Sequence, residues 1–177
     1  MEAVVEWNKK SKNLSTHNIE GSVKFTQKNI FSSVVVTVYI RGLPDGFHGF
    51  HVHEKKIEDF DEMNVMECCD KLGGHFNVGE RWSLENQSGR KHGVNGHNGD
   101  LCNNIYSEDG ECFHCFEDNK ISLYKQDPRC IIDRSIVIHE DSDDCALPEY
   151  QDEKNNVEKF ITGNAGKRIA CGNIILV

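Results

Sequence analysis

Apolar residues in this chain recur at every second position within short runs, and Gly, Asn or Asp bounds most of these runs. The runs are Ala3–Trp7, Ile19–Phe25, Val34–Ile40, Phe47–His53, Cys112–Phe116, Ile121–Tyr124, Ser135–His139 and Ile169–Val177. A period of two sends successive side chains to opposite faces of an extended chain. β-Branched residues, which suit a half-buried pleated surface, dominate, as in Val34-Val35-Val36-Thr37-Val38-Tyr39-Ile40. No stretch keeps a helical period over four turns. The pattern predicts an all-β fold, an antiparallel sandwich or barrel. Two segments break the rhythm: Lys55 to Cys102, rich in Gly, Asn, Asp and His, and Glu140 to Lys167, rich in Asp, Glu and Asn. Loops of that length inside a compact domain are usually functional or disordered.

The length of 177 residues suits a single domain over 1–177 with a sizeable core. A net charge of −9 argues against nonspecific nucleic-acid binding, which needs a basic face. No apolar run reaches the length of a membrane span. The start, Met1-Glu2-Ala3-Val4-Val5-Glu6-Trp7, is acidic and too weakly apolar for a signal peptide, so it reads as a first strand. The resulting expectation is a cytoplasmic protein, in the host cytoplasm for a viral source. Eight Cys are many for a compartment that keeps thiols reduced.

Candidate chemistry centres on the nine His. Phe47-His48-Gly49-Phe50-His51-Val52-His53 places His51 and His53 on one face of a strand, with Phe50 and Val52 on the other. Two imidazoles converging from a strand are half of a transition-metal site. His75, His92, His97 and Asp100 lie in the first long segment, and three imidazoles with a carboxylate make a sensible tetrahedral zinc site. His139 closes the run Ile136-Val137-Ile138-His139. Four nitrogens in a flattened array suit Cu(II) better than zinc. The candidates fall one short of two four-coordinate sites, and a shared imidazolate would close the count.

These residues occur in blocks that resemble the copper/zinc superoxide dismutases. The blocks are Gly46-Phe47-His48-Gly49-Phe50-His51-Val52-His53-Glu54, Gly74-His75-Phe76-Asn77, Arg90-Lys91-His92-Gly93 through Gly99-Asp100-Leu101, Val137-Ile138-His139-Glu140, and Gly163-Asn164-Ala165-Gly166-Lys167-Arg168-Ile169-Ala170-Cys171-Gly172. One His-x-His is weak; all of these blocks in order are strong. The family is itself a standing instance of sandwich architecture and of electrostatic steering. The resemblance implies an eight-stranded Greek-key antiparallel β-barrel, immunoglobulin-like, with two long functional loops. It implies one copper held by His51, His53, His75 and His139, and one zinc held by His75, His92, His97 and Asp100. Asp143 matches the carboxylate linking a copper ligand to a zinc ligand, Cys69 and Cys171 match a disulfide, and Arg168 matches the guanidinium beside copper. The implied reaction is disproportionation of superoxide to dioxygen and hydrogen peroxide, with Arg168 and His75 as catalytic groups and copper cycling between Cu(II) and Cu(I). Implied partners are superoxide as substrate, a second copy of the chain and a copper-loading partner. A copper-binding or copper-delivery module of the same fold, without turnover, is the rival.

The chain departs from the family pattern in places. The segment from Glu54 to Cys69 is long and acidic, with Glu58, Asp59, Asp61 and Glu62. Asn173 stands where the family has an apolar contact residue, and Asp133 adds a charge, so an altered homodimer interface is expected. Extra residues, Gly79 to Gly89, precede His92, and Ile161 stands where a steering Lys is usual. Lys154, Lys159 and Lys167 are nearby cations, and a weak dependence of rate on ionic strength is expected.

Other candidates have plainer readings. His48 shares parity with Phe50 and Val52 and is expected to be structural. Trp7 and Trp82 read as packing residues, and His17 and His114 belong to no constellation. Cys112 and Cys115 lie three apart on a strand and point to opposite faces, which argues against a shared metal or redox motif. Cys68, Cys102, Cys112, Cys115, Cys130 and Cys145 read as thiols, with a Cys102–Cys145 bond the alternative for that pair.

Overall fold

The computed structural model describes residues 1–7, 14–58, 65–79, 96–145 and 163–177. Among the described residues ten strands form: β1 (Glu2–Trp7), β2 (Leu14–Ser15), β3 (Glu20–Gln27), β4 (Val34–Arg41), β5 (Gly46–His53), β6 (Asn104–Ser107), β7 (Glu111–Asp118), β8 (Ser135–His139), β9 (Arg168–Asn173) and β10 (Ile175–Leu176). One short helix, α1 (Val65–Asp70), and a 3₁₀ turn, Asn98–Asp100, accompany them. One sheet has the order β10-β1-β3-β4-β7 and the other β2-β9-β8-β5-β6, and the described pairings are antiparallel.

β4 shows how pattern becomes packing. Val34, Val36, Val38 and Ile40 are buried, while Val35 and Tyr39 are exposed. Val36 sits opposite Phe25 of β3 and Phe116 of β7, and Val38 sits opposite Val23. Full burial of each such side chain stabilises the fold by about 1.5–3 kcal/mol. The inner face of the second sheet supplies Phe50, Val52, Ile136 and Ile138 to the same core.

Four expectations are corrected here. The fold is a sandwich, not a closed barrel. β6 and β7 are joined by a tight turn at Glu108 and Glu111, yet β6 pairs with β5 and β7 with β4, so they end in different sheets. Among the described residues the strands number ten rather than eight, because two short edge strands, β2 and β6, lie outside the expected runs and the last run divides into β9 and β10. Ile121–Tyr124 is not a strand: it makes one isolated bridge, Ser122 to Cys130. The Gln27 side-chain oxygen accepts the Leu123 N–H (2.8 Å) and the Ser122 hydroxyl (3.2 Å), which lets an irregular segment bury Ile121 and Leu123 without a ladder. Ile169–Val177 breaks at Ile174, whose N–H donates to the Arg134 carbonyl (2.9 Å) as the chain crosses between sheets.

Candidate metal centre

β5 delivers the first two candidate ligands. His51 and His53 are fully buried on the face opposite Phe50 and Val52, as strand parity demands. Gly49 shares their face. A Cβ there would lie 2.7 Å from Ala165 Cβ, 3.1 Å from His51 Cε1 and 3.2 Å from His139 Cβ, so only glycine leaves room for both rings. His139 ends β8, beside a register shift between Ile138 and His139 that sets it opposite Arg168. A bulge at a strand end re-aims a side chain.

The candidate loop ligand His75 docks on β5. It forms an isolated bridge with His53, and the Phe76 N–H donates to the Val52 carbonyl (2.9 Å). The Phe76 carbonyl then accepts from Gly99 N–H (2.8 Å), which brings the 3₁₀ turn alongside. Ligand atoms of His51, His53, His75 and His139 lie within 4.8 Å of one another, and so do those of His75, His97 and Asp100. His75 therefore belongs to both groups. Its ring centroid is 4.0 Å from that of His51, 5.2 Å from His53 and 5.8 Å from His97.

The rings are fixed by their outer nitrogens. His53 Nδ1 meets the Gly73 carbonyl (3.0 Å), His139 Nδ1 the Gly166 carbonyl (3.3 Å), and His75 Nδ1 the Asp100 carboxylate (2.7 Å). An Nδ1–H donated outward leaves the Nε2 lone pair facing inward. Nε2 of His53, His75 and His139 is buried and has no hydrogen-bond partner. Buried polar atoms are normally satisfied, and three orphaned imidazole lone pairs in one group fit a transition metal. His51 uses its Nε2 edge on Asp143 Oδ2 (2.9 Å), which leaves Nδ1 as its ligand atom.

Electrostatics favours neutral rings. Burial holds His53 well below the ordinary histidine range, helped by His75, Arg168 and His139 and opposed by the Gly73 carbonyl. Burial likewise lowers His139, together with His51 and His75. For Asp100 burial pushes the carboxyl up, but hydrogen bonds from His75 and His97 outweigh it and hold the group well below the usual carboxylate range. Its other oxygen accepts the His97 N–H (2.8 Å), so Asp100 closes its own turn. His92, the fourth expected zinc ligand, lies outside the described residues, as do Trp82, Ile161, Lys154, Lys159, Asp59, Asp61 and Glu62.

Arg168 opens β9 and is held by backbone carbonyls. Nη1 donates to Cys69 O (2.6 Å) and Asp70 O (3.4 Å), and Nη2 to Gly73 O (2.8 Å). Burial lowers its pKa from the ordinary guanidinium value. The Cys69–Cys171 disulfide ties α1 to β9 across 102 residues. In the chain-entropy view such a loop contributes about 4–5 kcal/mol. The bond thus holds the segment whose carbonyls cradle Arg168.

A family model for copper/zinc superoxide dismutase matches residues 19–174. The chain belongs to the copper/zinc superoxide dismutase family. Superoxide dismutase [Cu-Zn] 5 of Dictyostelium discoideum is 37% identical over 158 residues, covering 89% of this chain and 91% of the relative. The extracellular superoxide dismutase [Cu-Zn] of Drosophila melanogaster is 36% identical over 156 residues, covering 88% and 75%. The crystal structure of the clock protein EA4 superposes with a TM-score of 0.71 at 34% identity, covering 99% of this chain and 94% of that one. The expectation of a cytoplasmic protein does not stand. A relative this similar is extracellular, and the chain carries a disulfide, so membership of the superoxide dismutase family gives no warrant for a reducing compartment.

Other residues fall where their chemistry puts them. His48 is a staple between the carbonyls of Pro44 (2.8 Å) and His139 (2.9 Å). His17 is exposed and His114 packs beside Phe116. Cys112 is buried and Cys115 exposed, on opposite faces of β7. Cys102 and Cys145 are not bonded to each other; burial pushes the Cys102 thiol up to about 12 and the Cys112 thiol up to about 11. Asn173 is satisfied internally. Its carbonyl accepts from Ile57 N–H (2.7 Å) and the Ser135 hydroxyl (3.0 Å), and its amide donates to Ile57 O (3.0 Å). The sequence reading missed Asn104, which clamps Asp143 the same way: Oδ1 accepts the Asp143 N–H (2.7 Å) and Nδ2 donates to Asp143 O (2.9 Å). An asparagine at the start of a short strand carries no pattern that would have announced this.

Proposed function

We propose that the chain is a superoxide dismutase, with copper held by His51, His53, His75 and His139 and zinc by His75, His92, His97 and Asp100. The observation that carries the reading is His75, one ring common to two donor sets. Copper held there would supply the one-electron redox chemistry that turns superoxide into dioxygen and hydrogen peroxide, and zinc would be held by His75 together with His92, His97 and Asp100. Arg168, its guanidinium braced by three carbonyls, binds and orients the superoxide anion by charge and hydrogen bonds. His75 Nε2 would serve as a ligand atom and, when not so engaged, as the position that carries a proton toward the reduced oxygen, with Asp100 holding the Nδ1 side of the ring. Asp143 fixes the His51 ring (2.9 Å). Lys167 lies 3.7 Å from Glu140, an exposed pairing that offsets one steering charge and supports a weak dependence of rate on salt.

A second reading, a copper-binding module without turnover, draws on the structural likeness to a clock protein. Elemental analysis of the purified chain, paired with decay of pulse-generated superoxide, separates the two. Stoichiometric copper and zinc with accelerated decay support the dismutase; bound copper without acceleration supports the module. We also read the exposed Ile175, Leu176 and Val177 as the apolar part of a homodimer contact, with Asn173 turned inward away from it.

A further inference from the structure

The turn between His97 and Asp100 is gripped by two side chains that belong to neither donor group, Asn98 and Lys120. The turn spans only Asn98–Asp100, too short to be held by helical hydrogen bonds of its own. On one side it lies flush against β5. Gly99 N–H donates to Phe76 O (2.8 Å), and a Cβ on Gly99 would overlap Val52 O and lie 2.9 Å from Phe76 N. On the other side Asn98 joins two distant pieces of chain. Its main-chain N–H donates to Asn77 Oδ1 (3.3 Å) and its Oδ1 accepts the Val78 N–H (2.9 Å), so it grips the residues just beyond His75. Its Nδ2 donates to the Lys120 carbonyl. The Lys120 ammonium reaches back and donates to His97 O (3.3 Å). Lys120 is itself anchored: its N–H donates to Oδ1 of the buried Asp118 at the end of β7 (2.6 Å). A side-chain amide that accepts from one segment and donates to another fixes the distance between them. Asn98 therefore sits at the centre of a clamp that joins the segment after His75, the turn and the end of β7. The clamp sets the spacing of His75 and His97, whose ring centroids stand 5.8 Å apart.

We propose that Asn98 and Lys120 are positioning residues for zinc, holding His97 and Asp100 within ligand reach of His75 before the ion arrives. The inference rests on the reading of His75, His97 and Asp100 as zinc ligands. Neither Asn98 nor Lys120 supplies a ligand atom; both act through the main chain of the turn. Ligands already in place lose less freedom when an ion binds, so such positioning is read as affinity. The effect is confined to one ion. His51, His53 and His139 stand on paired strands, and His75 is docked on β5 by the Phe76 N–H, so the copper set keeps its supports when the clamp is cut. Lys120 works at two points, its carbonyl on Asn98 and its ammonium on His97. Only the second is lost when the side chain is changed, so Asn98 is the stronger of the two.

The test begins with the metal-free full-length chain. Amide hydrogen exchange is read at Gly99 and Asp100, whose N–H groups donate to Phe76 O and His97 O, and in the central strand β4 as a measure of global stability. Asn98→Ala is expected to speed exchange at Gly99 and Asp100 by about tenfold and in β4 by less than about twofold. Zinc and copper affinities are then measured separately, by competition with chromophoric chelators. Asn98→Ala is expected to weaken zinc by about tenfold and copper by less than about twofold. Lys120→Met, which keeps the carbonyl and loses the ammonium, is expected to weaken zinc by about threefold. Lys120→Arg, which restores a donor, is expected to bind zinc within about twofold of the wild-type chain. Equal loss of both metals in Asn98→Ala, or β4 amides that speed up along with those of the turn, would overturn the proposal. Zinc held equally well by the wild-type chain and Asn98→Ala would overturn the clamp alone, whereas a wild-type chain that takes up no zinc would overturn the reading of the site and the clamp with it.

Discussion

The two donor groups are built on different supports. His51, His53 and His139 project from paired strands of one sheet, and their outer nitrogens meet backbone carbonyls or a carboxylate. His97 and Asp100 sit on a 3₁₀ turn that hangs from β5 through Phe76, and Asp100 ties the turn to itself. His75 is the only ligand common to both groups among the described residues. The strand group is therefore held in place by the fold before any metal arrives. The loop group draws more of its order from ligation, since metal binding supplies folding free energy where packing is thin.

The harshest way to break this comparison is His75→Ala, which removes the shared member. Activity is expected to fall by more than about a hundredfold, beyond the loss typical of an outer-partner mutation, and elemental analysis should show both metals reduced. His114→Ala, outside both groups, should change neither. Next comes Asp143→Asn, which alters only the support of the strand group. Copper affinity is expected to drop by about 10–100-fold in a competition titration, with zinc affinity changing less.

Gly49→Ala probes how tightly the strand group is packed. The added methyl meets Ala165, His51 and His139, and overpacking of this kind costs about 1–3 kcal/mol. Denaturant unfolding would register the loss, and the copper spectrum should shift because two ligands are displaced. The mildest probe is pH on the metal-free chain. His53 and His139 titrate below the ordinary value of 6.5 when folded, so the unfolded chain binds more protons just beneath that value. Stability is then expected to be full above about pH 6.5 and to decline as pH falls through that range. Asp100, lowered from 3.8, adds its loss only in the carboxylate range and below. An unfolding midpoint that stays flat from pH 7 to about 5 would contradict the neutral, buried state of the strand group.

The same contrast explains what was legible in the sequence. Strand parity alone set His51 and His53 together and turned His48 the other way, and the structure agrees on all three. The alternating run of β4 was equally plain. The segment at Ile121 misled because alternation cannot reveal that Gln27 satisfies its backbone from another strand. The break at Ile174 was hidden because apolar residues resume directly after Asn173 as the strand changes sheets. The helix α1, only six residues long, shows no period and is held by a bond to a residue 102 positions away. Outer partners such as the carbonyls of Gly73 and Gly166 belong to the main chain and leave no trace in side-chain identity. Compartment was the least legible, since the residues that suit this fold also suit a relative outside the cell.

One oxygen atom joins the two halves of the proposed chemistry. Gly73 O accepts from His53 Nδ1 at 3.0 Å and from Arg168 Nη2 at 2.8 Å. A displacement of that peptide would at once slacken a ligand ring and the cation that greets the anion. If copper and superoxide bind as proposed, a change that moves the carbonyl of residue 73 would register at both the His53 ring and Arg168.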